Sequence, residues 1–224
     1  MVKWEMRRKR AAQILIVDDH PIVREGLTAL ISRQPDLNVC GEAADLADAI
    51  KLVDDMQPDV AVIDISLKSG NGLDLIARIK QRNDSVRMLV SSMYDETLYA
   101  ERSLRAGAMG YLNKQEATRQ IITAIRRVFD GKVYLSNRMS QRLMHRMVSA
   151  VDKLERPAVD VLSDRELEVF QLIGGGLTTA EIAERLHVTV KTIETHRQRI
   201  KGKLNLKNSA QLARDATTWV LENG

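Results

Sequence analysis

The chain has 224 residues, 44% of them hydrophobic, and a formal net charge of +4, enough to bury a real core in one large or two modest domains. A single cysteine, Cys40, excludes an internal disulfide and a cysteine-based zinc site. The four histidines show no HExxH spacing, and no apolar run approaches the ~20 residues that span a bilayer. The charge is uneven: residues 11–132 carry 15 basic and 18 acidic side chains, whereas residues 133–224 carry 14 and 11. An acidic front and a basic rear point to different partners for the two parts.

The first ten residues, MVKWEMRRKR, read as a basic extension; no apolar stretch follows them, so they do not read as a secretory signal. Strand-like and helix-like segments then alternate. ILIV (14–17) precedes a helix over 21–32 with Ile22, Val23, Leu27, Leu30 and Ile31 on one face. LNVCGEA (37–43) precedes a helix over 46–56, and VAVID (60–64) one over 72–82. RMLVSS (87–92) is followed by a helix over 96–107, and GYL (110–112) by one over 116–131. Five strand–helix pairs in about 120 residues predict an α/β domain with a doubly wound, five-stranded parallel sheet.

In such sheets function gathers at the carboxyl ends of the strands. The first strand ends in Asp18 and Asp19, the third in Asp64, the fourth in Ser91 and Ser92, and Lys114 follows the fifth. Alone, each has a bland reading: Asp-Asp in a turn is usually solvated, and a lone lysine is usually a surface charge. Together, three carboxylates repel unless a cation lies among them, and hard oxygen ligands suit Mg²⁺. A carboxylate beside that ion is a feasible nucleophile that forms an aspartyl-phosphate, with Lys114 and the Ser92 hydroxyl neutralising the phosphoryl oxygens. No GxGxxG or GxxxxGK cradle occurs.

Residues 136–157, SNRMSQRLMHRMVSAVDKLERP, place Met139, Leu143, Met144, Met147, Val148 and Val151 at helical spacing, which predicts an amphipathic linker helix ending near Pro157. Beyond it lie consecutive short helices. Ser163 with Glu166 forms a capping box, Gly174 to Gly176 stop that helix, and Thr178 or Thr179 starts the next, with Ile182, Ala183 and Leu186 inward. A turn at HVTV leads into KTIETHRQRIKGKL, with Ile193, Ile200 and Leu204 buried. Between Lys191 and Lys207 six basic residues face one acid, Glu194. As the second helix of a helix-turn-helix, this segment suits the major groove, with Thr192, Thr195 and Gln198 reaching base edges and Arg and Lys holding phosphates.

ILIVDDH, VIDISLKSGNG, LVSSMYDE and RAGAMGYLNK resemble the receiver domain of two-component response regulators, and LSDRELEVFQLI, TTAEIAERL and VTVKTIETHRQRIKGKL resemble the LuxR-type helix-turn-helix of the NarL/FixJ subfamily. The resemblance implies a receiver over 11–132, a helical linker over 133–159 and a DNA-binding domain over 160–224. It implies that Asp64 accepts a phosphoryl group from a histidine kinase, that Asp19, Asp64 and the Ser66 carbonyl ligate Mg²⁺ directly and Asp18 through water, and that Ser92, Tyr111 and Lys114 form the switch. On spacing alone Tyr111 reads as a core residue with a wet hydroxyl. The resemblance further implies base contacts from Glu194, Thr195 and Gln198, backbone contacts from Lys191, Thr192, Arg197, Arg199 and Lys201, and a final helix (209–223) used for dimerisation, on which Trp219 reads as a core anchor. Three positions depart from the family pattern. Lys68 stands where proline is frequent, Gly70 where an apolar residue is common, and Gln115 where proline usually follows the lysine.

The expected protein is a cytoplasmic, non-enzymatic transcription regulator that binds operator half-sites as a phosphorylation-dependent dimer, with no membrane partner. Two competing readings remain open at this stage. A haloacid-dehalogenase-type phosphatase would need Asp-x-Asp at the first strand, where this chain has adjacent aspartates. A DNA-binding regulator indifferent to phosphorylation would have a receiver that no longer switches.

Overall fold

The computed structural model describes residues 10–68, 70–148 and 158–223. The chain divides into two compact units, Met1–Arg142 and Leu143–Gly224.

In the first unit, strands β1 (Ala12–Val17), β2 (Leu37–Ala43), β3 (Val60–Ile63), β4 (Arg87–Ser92) and β5 (Gly110–Asn113) form one parallel sheet in the order β2-β1-β3-β4-β5. Helices α1 (Pro21–Ile31), α2 (Leu46–Met56), α3 (Gly72–Arg82), α4 (Glu96–Ala106) and α5 (Lys114–Phe129) connect and follow them. The central strands are buried on both faces, which is why they read as continuous apolar runs. On one face Ile14, Ile16, Val60, Val62, Leu89 and Leu112 meet Leu27 and Ile31 of α1 and Ile121, Ile125 and Val128 of α5. Each such burial is worth about 1.5–3 kcal/mol. The strand order reverses between β1 and β3, so the crevice beyond those two carboxyl ends is the topological switch point.

Small departures from expectation have local causes. Ile22 does not share the buried face of α1; it is 79% exposed, in the first turn of the helix that Pro21 opens. The third strand ends at Ile63 rather than Asp64, and α5 begins at Lys114 rather than Glu116. Asn113 caps α5 by accepting from the Gln115 amide at 2.9 Å, a donor that the family's usual proline lacks. Gly70, at φ 125, and Asn71 pair antiparallel with Ser66 and Leu67 in a two-residue hairpin after β3. Residues counted as linker begin on the sheet itself: Tyr134 bridges to Gly110, and Met139, at the start of helix α6 (Asn137–Val148), is buried. The expected end of that helix near Pro157, the contribution of Val151, and most of the basic N-terminal extension lie outside the described residues.

The second unit contains α7 (Asp164–Gly174), α8 (Thr179–Arg185), α9 (Val190–Lys203) and α10 (Ser209–Asn223). Capping boxes open both α7 (Ser163 with Glu166) and α8 (Thr178 with Glu181), so Thr178 is the cap of α8 and Thr179 its first helical residue. Gly176, at φ 85, follows α7 in the left-handed conformation that favours glycine. Phe170, Ile173, Ile182, Ile193, Ile200 and Leu212 form the core, and Trp219 packs edge-on against Phe170 with ring centroids 5.8 Å apart. Leu204 is only half-buried. Helix α7 approaches α10 so closely that a Cβ on Gly174 would stand 2.4 Å from the Ala216 carbonyl oxygen. Gly174→Ala is therefore expected to destabilise this unit by about 2 kcal/mol or more, read as a lowered melting temperature; an unchanged melting temperature would contradict the close approach.

Candidate functional site

The strand ends bring the predicted acidic residues together. Val17 of β1 pairs with Ile63 of β3, so Asp18 and Asp64 leave adjacent, in-register strands at the same level. Asp18 and Asp64 are buried. Lys114, the first residue of α5, reaches both, with its Nζ 2.6 Å from Asp18 Oδ2 and 2.7 Å from Asp64 Oδ2. The second Asp64 oxygen, Oδ1, is buried without a hydrogen-bond partner among the described residues. Burial pushes the Asp64 carboxyl up to about 6; the Lys114 ammonium opposes that rise and the Asp18 charge adds to it. Burial works against the charge on Lys114, but Asp64 and Asp18 outweigh it and hold the ammonium above its ordinary value.

Asp19 lies beside them, and its neighbour His20 was not anticipated. His20 Nδ1 stands 2.7 Å from Asp19 Oδ1 and 3.2 Å from Asp18 Oδ1. The Asp19 contact has ion-pair distance without hydrogen-bond alignment, since that oxygen is otherwise unpartnered. One ligand atom from each of Asp18, Asp19, His20 and Asp64 falls within 4.8 Å of the others. Crowded carboxylates with an orphaned buried oxygen fit a hard divalent cation such as Mg²⁺. Ser66 opens the two-residue hairpin after Asp64, and its amide acts to lower the Asp64 carboxyl.

Around this pocket, Ser91 and Ser92 are buried at the end of β4, and Ser91 Oγ has no partner among the described residues. Ser92 Oγ accepts from the Tyr94 amide at 3.4 Å. Tyr111 is 1% exposed, and its hydroxyl donates to the Tyr94 carbonyl at 2.7 Å, so it is core with a bonded hydroxyl rather than a wet one. Tyr94 in turn stacks on Tyr99, with centroids 4.8 Å apart. Gly72, whose amide donates to the Ile65 carbonyl, packs directly beneath the phosphoacceptor candidate: a Cβ there would stand 2.1 Å from the Asp64 carbonyl oxygen. Its glycine was legible in the sequence; its role was not.

In the second unit, Ile193 and Ile200 turn one side of α9 into the core. Lys191, Glu194, Thr195, Gln198 and Arg199 are exposed, and Thr192, Arg197 and Lys201 are half-buried. Glu194 is held by the Thr179 hydroxyl of α8, at 3.2 Å, and stands 3.8 Å from Arg197. The Thr192 hydroxyl bonds that of Thr189, the cap of α9, and the Thr195 hydroxyl donates to the Lys191 carbonyl.

Lys203 is not part of the free basic face, because its ammonium pairs at 2.6 Å with Glu166 of α7, whose side chain is almost wholly buried. Burial acts to raise the Glu166 carboxyl, but Lys203 and the Ser163 amide outweigh it and hold it below the usual range. The stabilisation from this pair is complete above about pH 4.5 and is lost as pH falls through the depressed value. Lys203→Met is expected to cost about 1–3 kcal/mol at pH 7, the half-exposed lysine lowering the figure for a fully buried pair. A urea titration in which the variant matched wild type at pH 7 would contradict that assignment.

The chain matches the receiver domain of response regulators over residues 14–126 and the luxR family of bacterial regulatory proteins over residues 160–216. It is 37% identical over 204 residues to the oxygen regulatory protein NreC of Staphylococcus carnosus, covering 89% of this chain and 94% of the relative, and 36% identical to NreC of Staphylococcus aureus over the same shares. Among solved structures it resembles a LuxR-family two-component response regulator from Aurantimonas sp. (34% identity, TM-score 0.58, covering 62% of this chain and 99% of that one). It also resembles RcsB of Salmonella enterica serovar Typhimurium bound to promoter rprA with the phosphomimetic BeF₃⁻ (25% identity, TM-score 0.60, 93% and 99%). No helix among the described residues is long and apolar enough to cross a membrane. Fold, acidic pocket and the two matched segments agree: this chain is a two-component response regulator of the NarL/FixJ type, a receiver domain followed by a LuxR-type helix-turn-helix.

Proposed function

We propose that this protein is a cytoplasmic transcription regulator that accepts a phosphoryl group on Asp64, from a histidine kinase or a small phosphodonor, and then binds DNA half-sites as a dimer. The observation that carries the reading is the division of labour between the two Asp64 oxygens. Oδ2 is held by Lys114, while buried Oδ1 has no hydrogen-bond partner among the described residues and is placed to attack phosphorus.

Asp18, Asp19, Asp64 and the Ser66 carbonyl would hold Mg²⁺, which when bound supplies positive charge for the transferring phosphoryl oxygens. Asp64 attacks in line as the donor's nitrogen or oxygen departs with the bonding electrons. Lys114 neutralises the new dianion, and the Ser92 hydroxyl turns from the Tyr94 amide to donate to it. Tyr111, bonded to the same Tyr94 through its carbonyl, follows. The face formed by α4, β5 and α5 is thereby biased toward a second arrangement.

In the second unit, Lys191, Thr192, Arg197, Arg199 and Lys201 contact phosphates, and Glu194, Thr195 and Gln198 contact bases. The RcsB relative bound to promoter DNA supports this direction. The role is regulatory and non-enzymatic: the phosphoryl group stays on the protein until it hydrolyses.

The test is to treat the protein with acetyl phosphate and Mg²⁺, trap the acyl phosphate with borohydride, and locate the modified residue by mass spectrometry. Modification at Asp64 supports the reading. Modification elsewhere, or multiple turnover on an external phosphate ester, defeats it.

A further inference from the structure

The segment after α5 is tied to the phosphoacceptor pocket by bonds that the switch residues do not account for. It runs along the outer edge of β5. The Tyr134 amide donates to the Met109 carbonyl at 3.0 Å, and the Tyr134 carbonyl accepts from the Tyr111 amide at 2.9 Å. The backbones approach so closely that a Cβ on Gly110 would stand 2.9 Å from the Tyr134 carbonyl oxygen. Two residues later the Ser136 amide donates at 2.9 Å to the carboxylate of Glu96, the first residue of α4. Ser136 caps the N-terminus of α6, its hydroxyl accepting from the Met139 amide at 3.1 Å and its carbonyl from the Ser140 amide at 2.9 Å. Met139 is buried, and the Tyr134 hydroxyl donates to Gln120 of α5.

The loop from Ser92 to Glu96 is thus braced from within, where Ser92 accepts from the Tyr94 amide, and fastened at its far end to the start of α6, where Glu96 accepts from the Ser136 amide. Tyr111, whose hydroxyl bonds the middle of this loop, also bonds the segment directly through its amide. We propose that residues 133–139 form a strap that carries the state of the phosphoacceptor pocket to the N-terminus of α6, with Glu96 as its latch. This rests on the reading that phosphorylation of Asp64 controls the protein. When Ser92 leaves Tyr94, the loop and Tyr111 shift, both anchors of the strap move with them, and the start of α6 is released or re-seated. The strap also occupies the free edge of β5, so an edge otherwise open to another chain is covered in this state.

The full-length chain tests this through Glu96→Ala, which removes the latch but leaves Asp95 capping α4, and Glu96→Gln, which keeps an acceptor oxygen. Asp64 phosphorylation is quantified by mass spectrometry, amide exchange is followed over residues 133–139, and oligomer size is measured by sedimentation, each with and without acetyl phosphate and Mg²⁺. In wild type, exchange across the strap changes about threefold or more on phosphorylation. In Glu96→Ala phosphorylation is as complete, the resting strap already exchanges faster, and the phosphorylation-dependent change largely disappears; Glu96→Gln restores it. A strap whose exchange ignores phosphorylation in wild type, while oligomer size responds, overturns the strap alone. A full wild-type response in Glu96→Ala overturns it too. Phosphorylated wild type that changes neither strap exchange nor oligomer size defeats the functional reading and the strap together.

Discussion

Asp64→Asn is expected to abolish phosphoryl incorporation from acetyl phosphate while making the receiver domain more stable than wild type in metal-free buffer. An amide oxygen is too poor a nucleophile to form the acyl phosphate, so incorporation falls to background. The gain in stability comes from charge crowding. Asp18 and Asp64 are buried together around one ammonium, and Asp64 titrates near 6 because burial, and then the Asp18 charge, disfavour its ionised form against the pull of Lys114. With the folded value above the unfolded 3.8, the stability linked to protonating Asp64 is fully present below about pH 4 and is lost as pH rises through about 6. At pH 7 wild type carries that strain and the variant does not, for an expected gain of about 1–2 kcal/mol after allowing for the lost Lys114 pairing. Magnesium should narrow the gap, since a ligand at 100 times its dissociation constant stabilises the folded state by about 2.7 kcal/mol. Amide exchange in β1 and β3 at pH 7 in chelator measures this; an Asp64→Asn protein less stable than wild type would contradict the crowding.

The second large effect is expected at Gly72, which has no charge and makes no polar side-chain contact. Its missing Cβ would meet the Asp64 carbonyl oxygen at 2.1 Å and the Ile65 Cα at 2.8 Å, both backbone atoms that cannot rotate away. Gly72→Ala must push the start of α3 off the end of β3. The expected cost is about 3 kcal/mol or more, in the range of severe overpacking. Phosphorylation should slow by about tenfold or more, because the displaced strand end carries Asp64. Gly26→Ala provides the contrast. That glycine is exposed in the middle of α1 with open space around it, so alanine there should stabilise by about 0.5–1 kcal/mol. Equal effects of the two substitutions would mean that backbone contact at Gly72 does not position the site.

The pocket was legible because its residues sit at the ends of apolar runs, and a parallel sheet with aligned strand ends leaves them nowhere else to go. Asp18, Asp64 and Lys114 meet at 2.6–2.7 Å for that reason. Residues whose importance lies in backbone contact had no such signal. Gly72 looks like any glycine at the start of a helix, and the amide that Asn113 caps belongs to Gln115, a position notable in sequence only for lacking proline. Ile22 carried the helical period yet faces outward, because periodicity alone does not show which end of an apolar stripe the helix start turns away. Lys203 was counted with the basic face of α9, since its partner Glu166 lies 37 residues earlier on another helix. The strap is a similar case: Tyr134 and Ser136 read as linker because pairing with a sheet edge leaves no pattern in a three-residue stretch.

The most direct test of phosphorylation-controlled DNA binding is to measure affinity for duplexes selected from a randomised pool, together with oligomer size, for wild type and Asp64→Asn, with and without acetyl phosphate and Mg²⁺. The expected result is a dimer with about tenfold or more tighter binding in phosphorylated wild type alone. Equal affinity and equal size in all four conditions would contradict it, leaving a DNA-binding protein whose receiver does not act as its switch.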